Sequence, residues 1–198
     1  MTHDNISIAA LIGSRICHDL ISPIGAITNG LELLNMSGDA SGPEMSLIGE
    51  RVGNASARIR FFRIAFGAAG DQMVGTAEVT SILRDLYAGS RLEVEWTPTD
   101  PKPRAAVRLA FLGILCLENA MPFGGKLTVR CGAGEWMLEG LADRLNIDDS
   151  IWPLLAGGSA PNSLQPANVQ FALLPDIAQD DGRKITTQMS TTEISLHF

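Results

Sequence analysis

Two long amphipathic segments at the start of the chain constrain its fold more than any other feature. Residues 5–36 and 43–69 carry apolar side chains three or four positions apart along their length. This spacing places them on one face of an α-helix, and Gly and Pro within residues 37–43 predict a turn. The apolar positions are Ile12, Ile16, Leu20, Ile27, Leu31 and Leu34 in the first helix and Ile48, Val52, Ala55, Ile59, Phe62 and Phe66 in the second. The sequence therefore predicts an antiparallel helical hairpin over residues 1–72.

The hairpin needs a further partner for its apolar faces. Two helices cannot cover both stripes by packing against each other alone, whereas a second copy would complete a four-helix bundle with a shared core. We therefore predict a homodimer through residues 1–70. The alternative is that the C-terminal half of the same chain covers the hairpin.

After residue 72 the pattern changes to shorter helices and strands. Helical periodicity covers residues 76–88, 104–121 and 168–179, and strand patterns cover residues 92–96, 127–130, 136–139, 184–189 and 193–198. Helices and strands mixed in this way predict an α/β two-layer sandwich. The predicted fold class is therefore α+β, with a dimeric helical bundle over residues 1–72 and an α/β domain over residues 73–198.

Charge and composition argue against several functions. The net charge of −7 disfavours nucleic acid as a ligand, because phosphate binding needs Lys and Arg. No apolar run approaches the roughly 18 residues of a membrane span, and the N-terminus lacks the pattern of a signal peptide. Cys17, Cys116 and Cys131 are widely separated, as in proteins of reducing compartments. His3 and His197 stand at the two ends, so no metal site is expected. We expect a cytoplasmic protein with no membrane or nucleic-acid partner.

One histidine is well placed for chemistry. At about 100° per residue, His18 falls about 200° from Ile16, on the outward face of the first helix. Asp19 follows it directly and can orient the imidazole or accept its proton. Pro23 lies inside the helix, where it costs about 3 kcal/mol that a helix seldom carries without a reason. The alternative for an isolated exposed histidine is a solvated side chain with no role.

The residues that share the outward face with His18 define a candidate docking surface. Its members are Ser14, Arg15, Ile21, Ser22, Gly25 and Asn29. Ile21 is an apolar residue near the outward side, and Gly25 has no side chain to obstruct a partner. We predict that a partner protein docks here. The alternative for Ile21 is packing against the second domain of its own chain.

The stretch His18-Asp19-Leu20-Ile21-Ser22-Pro23-Ile24 resembles the H-box of sensor histidine kinases, in which the histidine is phosphorylated and the adjacent acid assists. Position 21 departs from the pattern, because kinases carry Arg or Lys there. Residues 14–34 are more similar to the ChpT-type histidine phosphotransferases of alphaproteobacteria, and this resemblance extends over the whole chain. It implies that His18 accepts phosphate from a hybrid-kinase receiver and donates it to CtrA- and CpdR-type response regulators. It also implies no cofactor of the chain's own, since the receiver would supply Mg²⁺.

The second domain resembles the ATPase domain of histidine kinases with part of its nucleotide site missing. Glu118 and Asn119 look like the N-box, whose acid and amide act on Mg·ATP in kinases. The D-x-G-x-G motif that should follow is absent, and residues 135–143 read E-W-M-L-E-G-L-A-D. We therefore expect Glu118 and Asn119 to be vestigial and transfer to be independent of ATP. Two alternatives remain, an ATP-dependent sensor histidine kinase core and a non-catalytic dimeric docking scaffold for response regulators.

Overall fold

The computed structural model describes residues 3–37, 43–68, 70–158 and 164–198. The chain begins with α1 (His3–Ser37) and α2 (Pro43–Ala65). Gly30 lies against Ile48, and Asp19 faces Arg58, so the two helices run antiparallel. The predicted helical hairpin is therefore confirmed, while most of its predicted turn lies outside the described residues.

The remainder of the chain forms a layer of helices and a layer of strands. In chain order the elements are β1 (Met73–Val74), α3 (Thr76–Tyr87), β2 (Leu92–Trp96), β3 (Lys102–Pro103), α4 (Arg104–Ala120), β4 (Gly125–Gly132), β5 (Glu135–Leu141), α5 (Val169–Asp180), β6 (Thr186–Met189) and β7 (Glu193–His197), with 3₁₀ helices at Trp152–Ala156 and Pro166–Asn168. The main sheet has the order β2-β4-β5-β7-β6, with β2 and β4 parallel and the other neighbours antiparallel. The short β1–β3 pair and the 3₁₀ helices were not predicted from the sequence.

The main sheet has one buried face and one polar face. Leu138 and Leu196 are fully buried, and α4 packs closely against this face. A Cβ on Gly113 of α4 would lie 2.8 Å from Leu138 Cδ2, so the close approach depends on the missing side chain. On the opposite face Lys126 and Glu95 form an ion pair at 2.9 Å. This arrangement confirms the predicted α+β fold with an α/β two-layer sandwich.

The second half of α2 belongs to the same apolar core as α4. Phe61 and Ile64 are buried, and the Phe61 ring stacks on Phe111 of α4 with centroids 4.3 Å apart. Arg104 and Arg108 of α4 donate to carbonyls at the end of α2, which caps this helix at Ala65 rather than at the predicted residue 69. The core is thus continuous across residue 72, and the division of the chain there stays a prediction.

Other parts of the hairpin's apolar faces remain exposed. Leu31, Val52 and Ile59 are 49%, 49% and 55% exposed, although all three belong to the predicted apolar stripes. By contrast, Phe62 is only 5% exposed. The C-terminal half of the chain therefore covers the end of α2 but leaves much of the hairpin uncovered.

Candidate functional site

His18 lies midway along α1 with its side chain 84% exposed, as the helical period predicts. Its Nδ1 atom is 3.1 Å from Oδ1 of Asp19. A carboxylate oxygen can only accept a hydrogen bond, so the contact is a hydrogen bond in the imidazole tautomer that carries its proton on Nδ1. The lone pair of Nε2 is then available to a reaction partner.

Two arginines hold the other oxygen of Asp19, whose side chain is only 11% exposed. Arg15, one helical turn earlier, donates from Nε to Oδ2 at 2.7 Å, and a terminal nitrogen of Arg58 on α2 lies 3.6 Å from the same oxygen. Arg15 also donates to the backbone carbonyl of Ala167, just before α5. These contacts orient the carboxylate so that Oδ1 remains directed at His18.

Most residues of the candidate docking surface surround His18 as exposed groups. They are Ser14, Ile21, Ser22, Gly25 and Asn29. The Ile21 side chain is 69% exposed, so the alternative that it packs against its own second domain is wrong. A Cβ added to Gly25 would meet nothing within 4 Å. Arg15 is placed differently, because its side chain is 14% exposed and its guanidinium lies between Asp19 and Ala167.

Glu118 and Asn119 lie at the end of α4 and bond to other side chains of the chain. The Tyr87 hydroxyl donates to Oε2 of Glu118 at 3.2 Å, and Asn119 Nδ2 donates to Oδ1 of Asn168 at 3.2 Å. Burial raises the pKa of Glu118, while the positive charges of Arg15 and Arg58 act in the opposite direction. Glu118 therefore lies within the field of the two arginines that hold Asp19.

The sequence did not point to Arg58 or Tyr87 as members of this cluster. Arg58 lies on α2 and Tyr87 at the end of α3, and neither stands in a motif. The nearest signal was the position of Arg58 directly beside Ile59 of the apolar stripe, which is common to many arginines at the edge of a helix interface.

The segment after β5 fills the space beside α5 with apolar side chains. Ile151, Trp152 and Leu155 are each no more than 4% exposed. The Trp152 ring meets Phe171 of α5 edge-on, with centroids 5.2 Å apart. This part of the chain is thus packed into the core.

Groups of metal-ligating side chains and membrane-spanning helices are both absent from the described part of the chain. No group of three or more His, Cys, Asp and Glu residues in it could hold a metal ion. Among the same residues, no helix has the length and apolar character needed to cross a membrane.

Comparisons with known proteins establish the family. A family model described as the histidine phosphotransferase C-terminal domain matches residues 76–193. Protein phosphotransferase ChpT of Brucella abortus (strain 2308) is 32% identical over 203 residues, which cover 98% of this chain and 96% of that protein. A solved structure described as a bacterial phosphotransferase aligns with a TM-score of 0.82 and 33% identity, over 100% of this chain and 98% of that one. The chain belongs to the histidine phosphotransferase family.

Membership confirms the resemblance seen in the sequence. The protein is accordingly a phosphotransferase of a two-component pathway.

Proposed function

We propose that the protein is a histidine phosphotransferase of a multistep phosphorelay. It accepts a phosphoryl group on His18 from a receiver-domain aspartate and donates it to response-regulator receivers without using ATP. The observation that carries this proposal is the exposed His18 imidazole, whose Nδ1 lies 3.1 Å from Asp19 in a member of this family.

The reaction follows from the two nitrogens of the imidazole. Nε2 of His18 attacks the phosphorus of the receiver's aspartyl phosphate, and the bond from phosphorus to the aspartyl oxygen breaks. The electron pair of that bond leaves with the aspartate carboxylate. The Nδ1 proton remains shared with Asp19, whose negative charge stabilises the cationic phosphoimidazole ring. Transfer to an acceptor receiver reverses these steps.

Catalysis of this kind depends mostly on positioning and on neutralising charge. Asp19 and its two arginines provide the positioning on this chain. We expect the receiver to contribute Mg²⁺ and its own lysine, so the proposal requires no cofactor bound by this chain.

Two features support transfer without ATP. Glu118 and Asn119 bond to Tyr87 and Asn168, and so their polar groups already have partners within the protein. The segment after β5 carries buried apolar side chains and no D-x-G-x-G motif. Calorimetry with Mg·ATP at sub-millimolar concentration should show no heat beyond dilution, and saturable micromolar binding would favour the kinase alternative.

We propose that receivers dock on the surface around His18, with Ile21 as the apolar anchor. An exposed apolar side chain at the reaction centre suits a short-lived interface of modest area. The partners implied by the family resemblance are a hybrid-kinase receiver as the donor and CtrA- and CpdR-type regulators as the acceptors.

We also propose a homodimer in which a second copy covers the hairpin. The exposed apolar side chains of Leu31, Val52 and Ile59 support this assembly, because burying them would complete a four-helix bundle.

One labelling experiment separates the proposal from its alternatives. The protein is incubated with labelled ATP alone and, separately, with a receiver labelled on its aspartate. The proposed function requires label from the receiver and none from ATP. A kinase core would take label from ATP, and a scaffold would take none from either source.

The site is tested with two histidine variants. His18→Ala should abolish labelling without changing the melting temperature, because the side chain is 84% exposed. His197→Ala is the matched control, since His197 lies on β7 at the far end of the chain. Full labelling of His18→Ala would refute the assignment of the phosphoacceptor.

A further inference from the structure

Two lines of neighbouring groups lead from the end of α4 to His18, the first through hydrogen bonds and the second through charged groups that line one cavity. In the first, Asn119 bonds to Asn168 at 3.2 Å, and the carbonyl of the preceding Ala167 accepts a hydrogen bond from Arg15. Arg15 then donates to Asp19 at 2.7 Å. The α4 amide is thus linked, through the start of α5, to the carboxylate beside His18.

The second line passes through α2. Glu118 and Arg58 line one cavity of about 390 Å³ between α2, α3 and α4, together with Tyr87. Tyr87 holds Glu118 at 3.2 Å, and Arg58 lies 3.6 Å from Asp19. Both lines therefore end at the same oxygen of Asp19.

The cluster contains two guanidinium groups and two carboxyl groups, and their charges balance when Glu118 is ionised. Arg15 and Arg58 contribute two positive charges, and Asp19 and Glu118 contribute two carboxylates. If Glu118 were neutral, the Asp19 carboxylate alone would neutralise the positive charges of both arginines. That carboxylate would then be a weaker acceptor for the Nδ1 proton of His18.

We propose that Glu118 and Asn119 are positioning residues for phosphotransfer at His18, acting through Arg58 and Arg15. This inference rests on the proposed function of His18. Neither residue touches the reacting atoms. Asn119 helps to keep Asp19 directed at Nδ1 through Asn168, Ala167 and Arg15, and the Glu118 charge keeps Asp19 a strong acceptor. Both effects favour the tautomer in which Nε2 is unprotonated and able to attack phosphorus. When either effect is lost, the imidazole spends more time with its proton on Nε2, where the proton blocks the attack.

The residue pair that resembles a kinase N-box would accordingly have a different task in this chain. The competing explanation is that Glu118 and Asn119 only stabilise the end of α4. The two explanations differ in what happens to the tautomer of His18, because a purely local structural role would leave it unchanged.

Near-isosteric substitutions test the inference in the full chain. Glu118→Gln removes the charge but keeps an acceptor for Tyr87, and Asn119→Leu removes the hydrogen bond to Asn168 at similar volume. The transfer rate from a phosphorylated receiver, the ¹⁵N signals of His18 and the melting temperature are measured for each variant. We expect the rate to fall about tenfold, equivalent to about 1.4 kcal/mol, with a larger fraction of the Nε2–H tautomer.

Two further variants keep the test decisive. Glu95→Gln is the matched control, because Glu95 also pairs with a cation but lies on the outer face of the sheet. Arg15→Lys keeps the positive charge but cannot bridge Asp19 and Ala167 with a planar fork. It should give the same rate loss and tautomer change even if a variant at position 118 or 119 fails to fold.

A double-mutant cycle tests the route of the effect. In an Asp19→Ala background the side chain that links the cluster to His18 is missing, so adding Glu118→Gln should cause no further loss. Fully additive losses, an unchanged tautomer or a loss that follows the melting temperature would overturn the inference. The proposed function fails separately, if the wild-type protein takes no label from the receiver or if His18→Ala takes it fully.

Discussion

Ile59 offers a sharp test of the proposed homodimer. Its side chain is 55% exposed in the single chain although it lies in the apolar stripe of α2. Fully burying an isoleucine side chain contributes about 1.5–3 kcal/mol, so burying the exposed half contributes about 1–1.5 kcal/mol. A symmetric dimer contains this side chain twice, and Ile59→Ala should weaken it by about 2–3 kcal/mol. The dimer dissociation constant should therefore rise roughly 30- to 160-fold.

Sedimentation equilibrium over a concentration series measures this constant, and thermal unfolding checks that the fold is intact. Leu141→Ala is the matched control, because Leu141 is also 55% exposed but lies at the end of β5. Phe62 would be a poor choice, since it is 5% exposed and its replacement would disrupt the core of the single chain. If Ile59→Ala leaves the dissociation constant unchanged, or if Leu141→Ala raises it equally, the second copy does not pack on this stripe.

Three further predictions concern docking, helix packing and pH. Ile21→Lys places a charge where the side chain is 69% exposed, so phosphotransfer should slow by about tenfold or more at an unchanged melting temperature; equal transfer rates would place docking elsewhere. Gly30→Ala should lower the free energy of unfolding by about 1–3 kcal/mol, because the new Cβ would lie 2.6 Å from an α2 side-chain carbon. Gly25→Ala should raise the free energy of unfolding by up to about 1 kcal/mol, because a Cβ at Gly25 would meet nothing within 4 Å. Urea unfolding measures both variants, and shifts of the same sign and size would contradict this prediction. Partial burial acts to raise the pKa of Asp85, but hydrogen bonds from Arg60 and other neighbours hold it below its ordinary value. The stabilisation is present above the unfolded-state pKa and disappears as the pH falls through the folded one, so Asp85→Asn should destabilise the protein at neutral pH and much less in acid; a pH-independent loss in urea unfolding would contradict this.

The sequence by itself determined the longer helices, most strands of the main sheet and the outward face of α1. All of these depend on spacing between residues that are close along the chain. The helical period placed His18, Ile21 and Gly25 on the exposed side, where the structure has them. The contact between His18 and Asp19 is equally local, because the two residues are adjacent.

The turn between β4 and β5 lies between the two strand patterns that the sequence showed at residues 127–130 and 136–139. Ala133 and Gly134 both adopt positive φ, at 53° and 87°, as tight hairpin connections require. Gly134 adopts this conformation at little cost because it has no Cβ.

Only the tertiary structure decided which side chains surround Asp19. Arg58 reaches it from α2, and Glu118 approaches the same arginines from α4. No periodic pattern in the sequence predicts these contacts. They depend on how α2 packs against α4, where Phe61 stacks on Phe111.

The residue at which α2 ends was also decided by tertiary contacts. Its apolar pattern continues to residue 69, but Arg104 and Arg108 bind its last carbonyls and the helix ends at Ala65. The physical reason is common to both cases. Spacing along the chain determines which face of a helix is apolar, whereas the packing of separate helices determines which polar groups meet at their edges.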